Sequence, residues 1–108
     1  MVVDNDLYNS AKTTNYNISS VVLNGDLLKI KIGSSGCDAN SWKATLVDAN
    51  KILESNPIQR NIKVLIENNG ACLAVFEKEF TFDIQILKEN YSEVILNLEK
   101  WNPQINYK

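Results

Sequence analysis

The sequence contains no histidine, and this absence excludes several common kinds of active site. Ser-His-Asp and Cys-His catalysis both need an imidazole, and histidine is the commonest protein ligand of transition metals. A strong charge of either sign is also absent, since the net charge is −2 and the isoelectric point is about 5.0. We therefore expect neither nucleic-acid binding nor electrostatic attachment to an anionic membrane.

Long apolar runs are missing as well. None approaches the roughly 20 residues that cross a bilayer as a helix, so we predict no transmembrane segment. No signal peptide is evident either, because Met1–Val3 is followed at once by polar and acidic residues. Two explanations remain open, a cytosolic protein or an exported protein whose leader precedes this sequence.

The composition that is present is that of one folded domain. A chain of 108 residues has room for one hydrophobic core, and its 44% hydrophobic and 22% charged residues are ordinary for a globular protein. The chain also contains 15 asparagines. We interpret their number as the codon usage of an AT-rich genome rather than as a functional asparagine ladder.

Apolar residues recur with the period of two that is typical of half-buried β-strands. Residues 1–17 are mostly polar and are predicted to be a flexible leader, so the folded domain spans residues 18–108. Asn24-Gly25 between two β-prone runs predicts a hairpin. The predicted inward-facing residues on successive strands are Leu28, Ile30, Ile32, Trp42, Ala44, Leu46, Ile62, Val64, Ile66, Cys72, Ala74, Phe76, Phe80, Phe82, Ile84, Ile86, Val94, Leu96 and Leu98.

This pattern predicts about seven strands with frequent turn signals and no helix long enough to cover a sheet. Two facing sheets would bury the one-sided strands, so we predict an all-β chain folded as a single immunoglobulin-like sandwich of antiparallel strands. A barrel is the alternative. Between Asp48 and Asn61 the alternation stops, which favours an irregular crossover between the sheets. A short helical turn capped by Asp48 and carrying Ala49, Ile52 and Leu53 is the alternative.

The two cysteines, Cys37 and Cys72, are candidates for a disulfide. It would close a loop of about 36 residues and, in the chain-entropy model, contribute roughly 3.5–4 kcal/mol. Two reduced thiols are the alternative. A redox pair is not expected without C-x-x-C spacing, and two cysteines without histidine supply only half of a usual zinc site. Because disulfides persist in oxidising compartments, the pairing would indicate an exported protein.

Few other side chains suggest chemistry. Arg60 is the only arginine, and its guanidinium could bind a carboxylate or phosphate. Trp101 follows a predicted strand and is a candidate for an exposed contact with a partner. Glu77 and Glu79 share one strand face and, with Asp83, are the carboxylates on which a hydrolase would depend. We expect them to be solvated, and we expect no metal site, cofactor or catalytic activity.

Five stretches together resemble a group of small uncharacterised, lipoprotein-like proteins of the Bacteroidota: Gly36–Trp42, Pro57–Arg60, Gly70–Ala74, Phe80–Ile84 and Leu96–Trp101. Proteins of this group are exported through a lipobox-type leader. The resemblance implies a periplasmic or outer-envelope location, allows a lipid anchor on a leader outside this sequence, and supports pairing of Cys37 with Cys72. It brings no activity with it.

These observations predict a non-catalytic, exported binding module whose partner is a protein or a surface glycan. The alternative is an inhibitor or immunity protein that binds a secreted toxin or enzyme, because small acidic domains without chemistry of their own suit that role. A hydrolase using Glu77, Glu79 or Asp83 is a third, weaker hypothesis.

Overall fold

The computed structural model describes residues 1–13, 16–35, 42–67, 75–88 and 91–108, which are mostly β-strand. Within these ranges ten elements follow one another: β1 (Val2–Val3), α1 (Asn5–Ser10), β2 (Asn17–Asn24), β3 (Leu27–Ser35), β4 (Lys43–Leu53), β5 (Ile58–Glu67), β6 (Val75–Asp83), α2 (Gln85–Lys88), β7 (Val94–Leu98) and β8 (Ile105–Tyr107). The β-rich class is therefore confirmed. Within the described ranges no helix is long and apolar enough to cross a membrane.

The strands form two sheets. A five-stranded sheet has the order β1-β4-β5-β7-β8, and a three-stranded sheet has the order β2-β3-β6. The smaller sheet is antiparallel throughout, whereas in the larger one β1 runs parallel to β4 and β5 runs parallel to β7. The prediction of an antiparallel immunoglobulin-like sandwich is thus corrected to two sheets of which one is mixed. The parallel pair arises because the chain leaves β5, forms β6 in the smaller sheet and returns as β7.

The hydrophobic core lies between the sheets. One buried cluster combines side chains of the smaller sheet, such as Leu28 and Ile30, with those of the larger sheet, such as Ile62 and Leu96. Along β5 and β7 every second residue is buried, which is the pattern of strands with one face on a core. The inward-facing rows predicted from period-two alternation are confirmed for these strands and for β3.

The predicted row through Ile86 is wrong at its end. β6 ends at Asp83, and Ile86 lies in the short helix α2 with 59% of its surface exposed. Cys72 and Ala74, predicted to face inward on the same segment, lie outside the described residues.

The β2–β3 hairpin also follows the prediction, with the turn moved by one residue. Asn24 is paired with Leu27, so the two central residues are Gly25 and Asp26. Gly25 has a φ of +61°, which suits the first central position of a two-residue hairpin turn and costs glycine little.

The connection between Asp48 and Asn61 differs from the predicted crossover. β4 continues to Leu53 through an irregularity after Asp48, where Asn50 has a φ of 56°. It then pairs antiparallel with β5 after a turn that contains the cis Asn56–Pro57 peptide bond. The interruption of the alternation is therefore a distortion inside a strand, so the crossover prediction is wrong.

The N-terminal residues, predicted as a flexible leader, form structure against β4 and β5. β1 pairs with Val47 and Asp48, and α1 is capped by the Asp4 carboxylate, which accepts a hydrogen bond from the Leu7 amide. Tyr16 is 3% exposed within the core, and its hydroxyl donates to the Val64 carbonyl at 2.6 Å. The described part of residues 1–17 thus contributes a strand, a helix and a core residue.

Candidate functional site

Arg60, the predicted ligand contact, lies on the inner face of β5 and is 4% exposed. Its Nη1 is 3.0 Å from Oδ1 of Asp48, which is completely buried on the inner face of β4. The same carboxylate oxygen accepts a hydrogen bond of 2.7 Å from the Asn50 amide. The guanidinium therefore has an internal partner, and a role for Arg60 in ligand contact stays a prediction.

Trp101 lies in the turn after β7, where Lys100 has a φ of 72°. The Trp101 amide donates to the Leu98 carbonyl at 3.1 Å, and the indole is half-buried against the core. Trp42 is 3% exposed and meets the Phe76 ring edge-on at 6.5 Å between centroids, as the sequence phase predicted for a core residue. Neither indole forms a fully exposed platform.

Cys37 and Cys72 lie outside the described residues, so their pairing stays a prediction. The strands that lead to them are described, and the β3–β6 ladder ends with Ser35 opposite Val75. Cys37 is two residues beyond Ser35 and Cys72 is three residues before Val75. Because residues paired across a sheet have Cα atoms about 5 Å apart, the two cysteines are attached to neighbouring strand ends.

The carboxylates considered for hydrolysis lie on the outer face of the three-stranded sheet. Glu77 and Glu79 are exposed on β6, opposite Gly33 and Lys31 of β3. Asp83 is also exposed, and its Oδ1 accepts a hydrogen bond from the Gln85 amide at the start of α2. In the described part of the chain, no three His, Cys, Asp or Glu side chains are grouped as metal ligands would be.

A cleft opens where the parallel strands β5 and β7 begin side by side. Residues Ser55–Ile58 and Tyr91–Glu93 line it, and its volume is about 280 Å³. Tyr91 is 39% exposed, and its amide donates to the Lys88 carbonyl at 2.9 Å, so the residue is held just after α2. We call this site the Tyr91 cleft. Glu93 is the only charged side chain among the described residues that line it.

Four amide side chains lie on the outer face of the five-stranded sheet. The first of them, Gln59, directly follows Ile58, which lines the Tyr91 cleft. Nδ2 of Asn97 donates to Oε1 of Gln59 at 3.2 Å and to Oδ1 of Asn61 at 3.1 Å. Nε2 of Gln104 donates to Oδ1 of Asn97 at 2.9 Å. We call Gln59, Asn61, Asn97 and Gln104 the amide cluster.

The parallel register explains how the amide cluster forms. Gln59 is paired with Ile95 and Asn61 with Asn97, so the side chains of β5 and β7 at these positions share the outer face. Since Gln59 and Asn61 both accept through their carbonyl oxygens, each directs its NH₂ group away from Asn97. The cluster therefore offers donors toward the outer surface beside the Tyr91 cleft.

Sequence reasoning did not find this site. Asn97 alternates with the inward-facing Leu96 and Leu98, which predicts its outward orientation, but nothing in period-two alternation aligns β7 with β5. The signal that was available was the recurrence of amides at alternate positions, Gln59 and Asn61, on one strand.

Comparison with known proteins relates this chain to a fold and to no activity. No protein-family model matches it, and no curated protein is found to be similar. A crystal structure of a DUF1344 protein of unknown function from Bacteroides vulgatus ATCC 8482 matches with a TM-score of 0.60 and 12% sequence identity. The match covers 98% of this chain and 53% of the other, so this chain spans about half of its length. That organism belongs to the Bacteroidota, as does the group resembled by the sequence, and the likeness shows a shared fold alone.

Proposed function

We propose that this protein is a non-catalytic, exported binding module that holds a neutral glycan in the Tyr91 cleft and on the amide cluster. The proposal is supported by one observation, that the Tyr91 cleft and the amide cluster lie side by side. An exposed tyrosine ring, three serine or asparagine side chains and four amides adjoin one another, with Glu93 as the only charge among these described residues.

The chemistry of these groups suits sugar hydroxyls. An amide side chain both donates and accepts hydrogen bonds, as a hydroxyl does, while the face of a tyrosine ring can cover the apolar side of a sugar ring. The volume of about 280 Å³ is near the lower end of small-molecule sites, about 300–1,000 Å³. We expect one sugar unit in the cleft and its neighbours along the amide cluster.

A binding role without catalysis is favoured by the arrangement of the carboxylates. Glycoside hydrolysis commonly uses two carboxyl groups facing each other across the scissile bond. Glu93 has no second carboxylate among the described residues of the Tyr91 cleft, and the exposed Glu77 and Glu79 lie on the other sheet.

The site can be tested by titrating isotope-labelled protein with a panel of neutral oligosaccharides while recording amide resonances. We expect one or more sugars to shift resonances of Gln59, Asn61 and Tyr91, and we expect Tyr91→Ala to abolish saturable binding. Thr81→Ala, on the outer face of the smaller sheet, is the matched control and should bind as the wild type does. Either a panel without any binder or equal losses in the two variants would contradict the proposal.

Export is a separate part of the proposal, supported by the adjoining strand ends that lead to Cys37 and Cys72. We expect protein equilibrated in an oxidising glutathione buffer and unfolded without reductant to remain a monomer that takes up no alkylating agent, as read by intact mass. After reduction both thiols should label, and the free energy of unfolding should fall by roughly 3.5–4 kcal/mol. Two labelled thiols before reduction would remove the main support for an envelope location.

A further inference from the structure

The edges of the two sheets differ in how they are protected against pairing with another chain. The five-stranded sheet ends in β1 and β8, which are two and three residues long. The three-stranded sheet ends in β2 and β6, which have eight and nine residues. Natural sheets protect long edges with charge, proline or bulges, and β2 has neither charge nor proline. Its one irregularity lies between Ile18 and Ser20, so Val21–Asn24 pair regularly with β3, and no other described strand pairs with them.

The backbone groups at this edge can be assigned. The Ile84 amide donates a hydrogen bond to the Asp26 carbonyl at 2.9 Å. Because successive residues of a strand direct their backbone N–H and C=O groups to alternate sides, the even-numbered residues of β3 near the turn direct theirs toward β6. Leu27 and Lys29 therefore bond to Asn24 and Val22 of β2. It follows that the N–H and C=O groups of Val21 and Leu23 point away from β3, where no described strand pairs with them.

We propose that this edge pairs antiparallel with the same edge of a second copy, about a two-fold axis that passes between Val22 and its counterpart. Side chains of residues directly opposite each other on neighbouring strands point to the same face of the sheet. If both hydrophobic cores are to lie on one side of the joined sheet, one residue must therefore lie opposite its own counterpart, with the axis between them. Since the backbone groups of Val22 are used by β3, Val22 faces its counterpart as a non-hydrogen-bonded pair. Val21 and Leu23 of the two copies then exchange four hydrogen bonds.

Side-chain burial favours this register. Val22 is 53% exposed on the outer face, and non-hydrogen-bonded pairs bring opposing side chains closest. Its isopropyl group would be covered by that of its counterpart. Val21 and Leu23 already pack against the core, and pairing them across the axis would continue the hydrophobic layer from one copy into the other.

The charges permit self-pairing at β2 and oppose it at β6. In the paired form, Lys29 and its counterpart would be separated by three strand spacings, about 14 Å, which exceeds the Debye length of about 8 Å at physiological salt. The outer face of β6 carries Glu77, Glu79 and Asp83. If the β6 strands of two copies paired antiparallel about any residue from 78 to 81, acidic side chains would lie opposite each other.

An interface made by one strand edge is small, below the roughly 1,200 Å² at which stable complexes begin, so we expect a weak dimer. Sedimentation velocity over a wide concentration range should show a mass that rises from monomer toward dimer. Val22→Lys should remain monomeric throughout, because two ammonium groups would face each other across the axis. Thr81→Lys, on the acidic edge strand, is the control and should associate as the wild type does.

Amide hydrogen exchange tests the register independently. Val21 and Leu23 amides should exchange more slowly as the protein concentration rises, whereas the Val22 amide, bonded to β3, should be protected at every concentration. A wild-type protein that stays monomeric overturns the proposal, as does association that Val22→Lys leaves intact. Association without added protection at Val21 and Leu23 would also overturn it, since another surface would then be responsible.

Discussion

The two faces of the five-stranded sheet both carry polar groups, and they do so in opposite ways. On the inner face, Asp48 and Arg60 form an ion pair in which the side chains are 0% and 5% exposed. On the outer face, Gln59, Asn61 and Asn97 form neutral hydrogen bonds and stay half-buried. Gln59 and Arg60 are neighbours on one strand, yet Gln59 belongs to the amide cluster and Arg60 to the buried ion pair.

The difference separates polar groups that are buried inside the fold from polar groups that remain accessible to solvent. Asp48 follows Leu46 in the inward row of β4, and Arg60 precedes Ile62 in that of β5, so the ion pair closes one end of the apolar core. A buried charge must keep its partner, because desolvation costs several kcal/mol per ion. The amide cluster is in contact with water and carries no such requirement.

The largest effect should come from breaking the ion pair on one side. Asp48→Ala leaves the Arg60 guanidinium buried without its carboxylate, and we expect a loss of about 3–5 kcal/mol in the free energy of unfolding. Urea denaturation followed by circular dichroism measures it.

The matched control replaces both partners, as Asp48→Leu with Arg60→Met, so that no charge is left buried. We expect this double variant to recover most of the stability, since apolar replacements of buried ion pairs are often neutral. If Asp48→Ala lowers the free energy of unfolding by less than about 1 kcal/mol, the polar groups of the inner face do not stabilise the fold more than those of the outer face.

A smaller loss is expected from a second buried polar contact of the core, the hydrogen bond of the Tyr16 hydroxyl. Tyr16→Phe leaves the Val64 carbonyl without this donor and should cost about 1–3 kcal/mol near neutral pH. Tyr8→Phe, on the half-buried helix α1, is the comparison and should cost less. Equal losses in urea denaturation would show that burial of the hydroxyl is not the cause.

The same tyrosine should make stability depend on alkaline pH. Burial, with the nearby Glu99 charge, raises the pKa of Tyr16 well above its ordinary value of 10. Because the folded state holds the phenolic proton more tightly, this stabilisation is complete below about pH 10 and is lost as the pH rises toward the folded-state pKa. Urea midpoints at rising alkaline pH should fall more steeply for the wild type than for Tyr16→Phe. Tyr107, whose pKa burial and the Asp26 hydrogen bond also raise, remains in both proteins.

Much of the fold follows from period-two alternation, and its failures have identifiable causes. The rows Leu28–Ile32 and Ile62–Ile66 face the core as predicted, because each strand has one apolar face. Alternation carries no information about strand direction, so the parallel pairing of β5 with β7 could not be inferred. The distortion of β4 after Asp48 interrupts the pattern, and an interrupted alternation cannot be distinguished in sequence from the end of a strand.

The candidate site was less predictable than the fold because it depends on long-range register. Asn61 and Asn97 are 36 residues apart and meet only because two parallel strands are aligned. The partner of Arg60 was equally hard to predict, because Asp48 lies 12 residues earlier in a segment predicted to be irregular. A role for Arg60 in ligand contact remains a prediction.

The smallest effect on stability is expected on the outer face. Gln59→Ala removes one half-buried hydrogen bond to Asn97, so we expect the free energy of unfolding to change by no more than about 0.5 kcal/mol. Its affinity for a neutral oligosaccharide should nevertheless fall about tenfold, or ~1.4 kcal/mol, because a donor beside the Tyr91 cleft is lost. Asn106→Ala, exposed on β8 and outside the amide cluster, should change neither quantity. A Gln59→Ala variant that unfolds as readily as Asp48→Ala would mean that the outer amides also maintain the fold, and the contrast between the two faces would be lost.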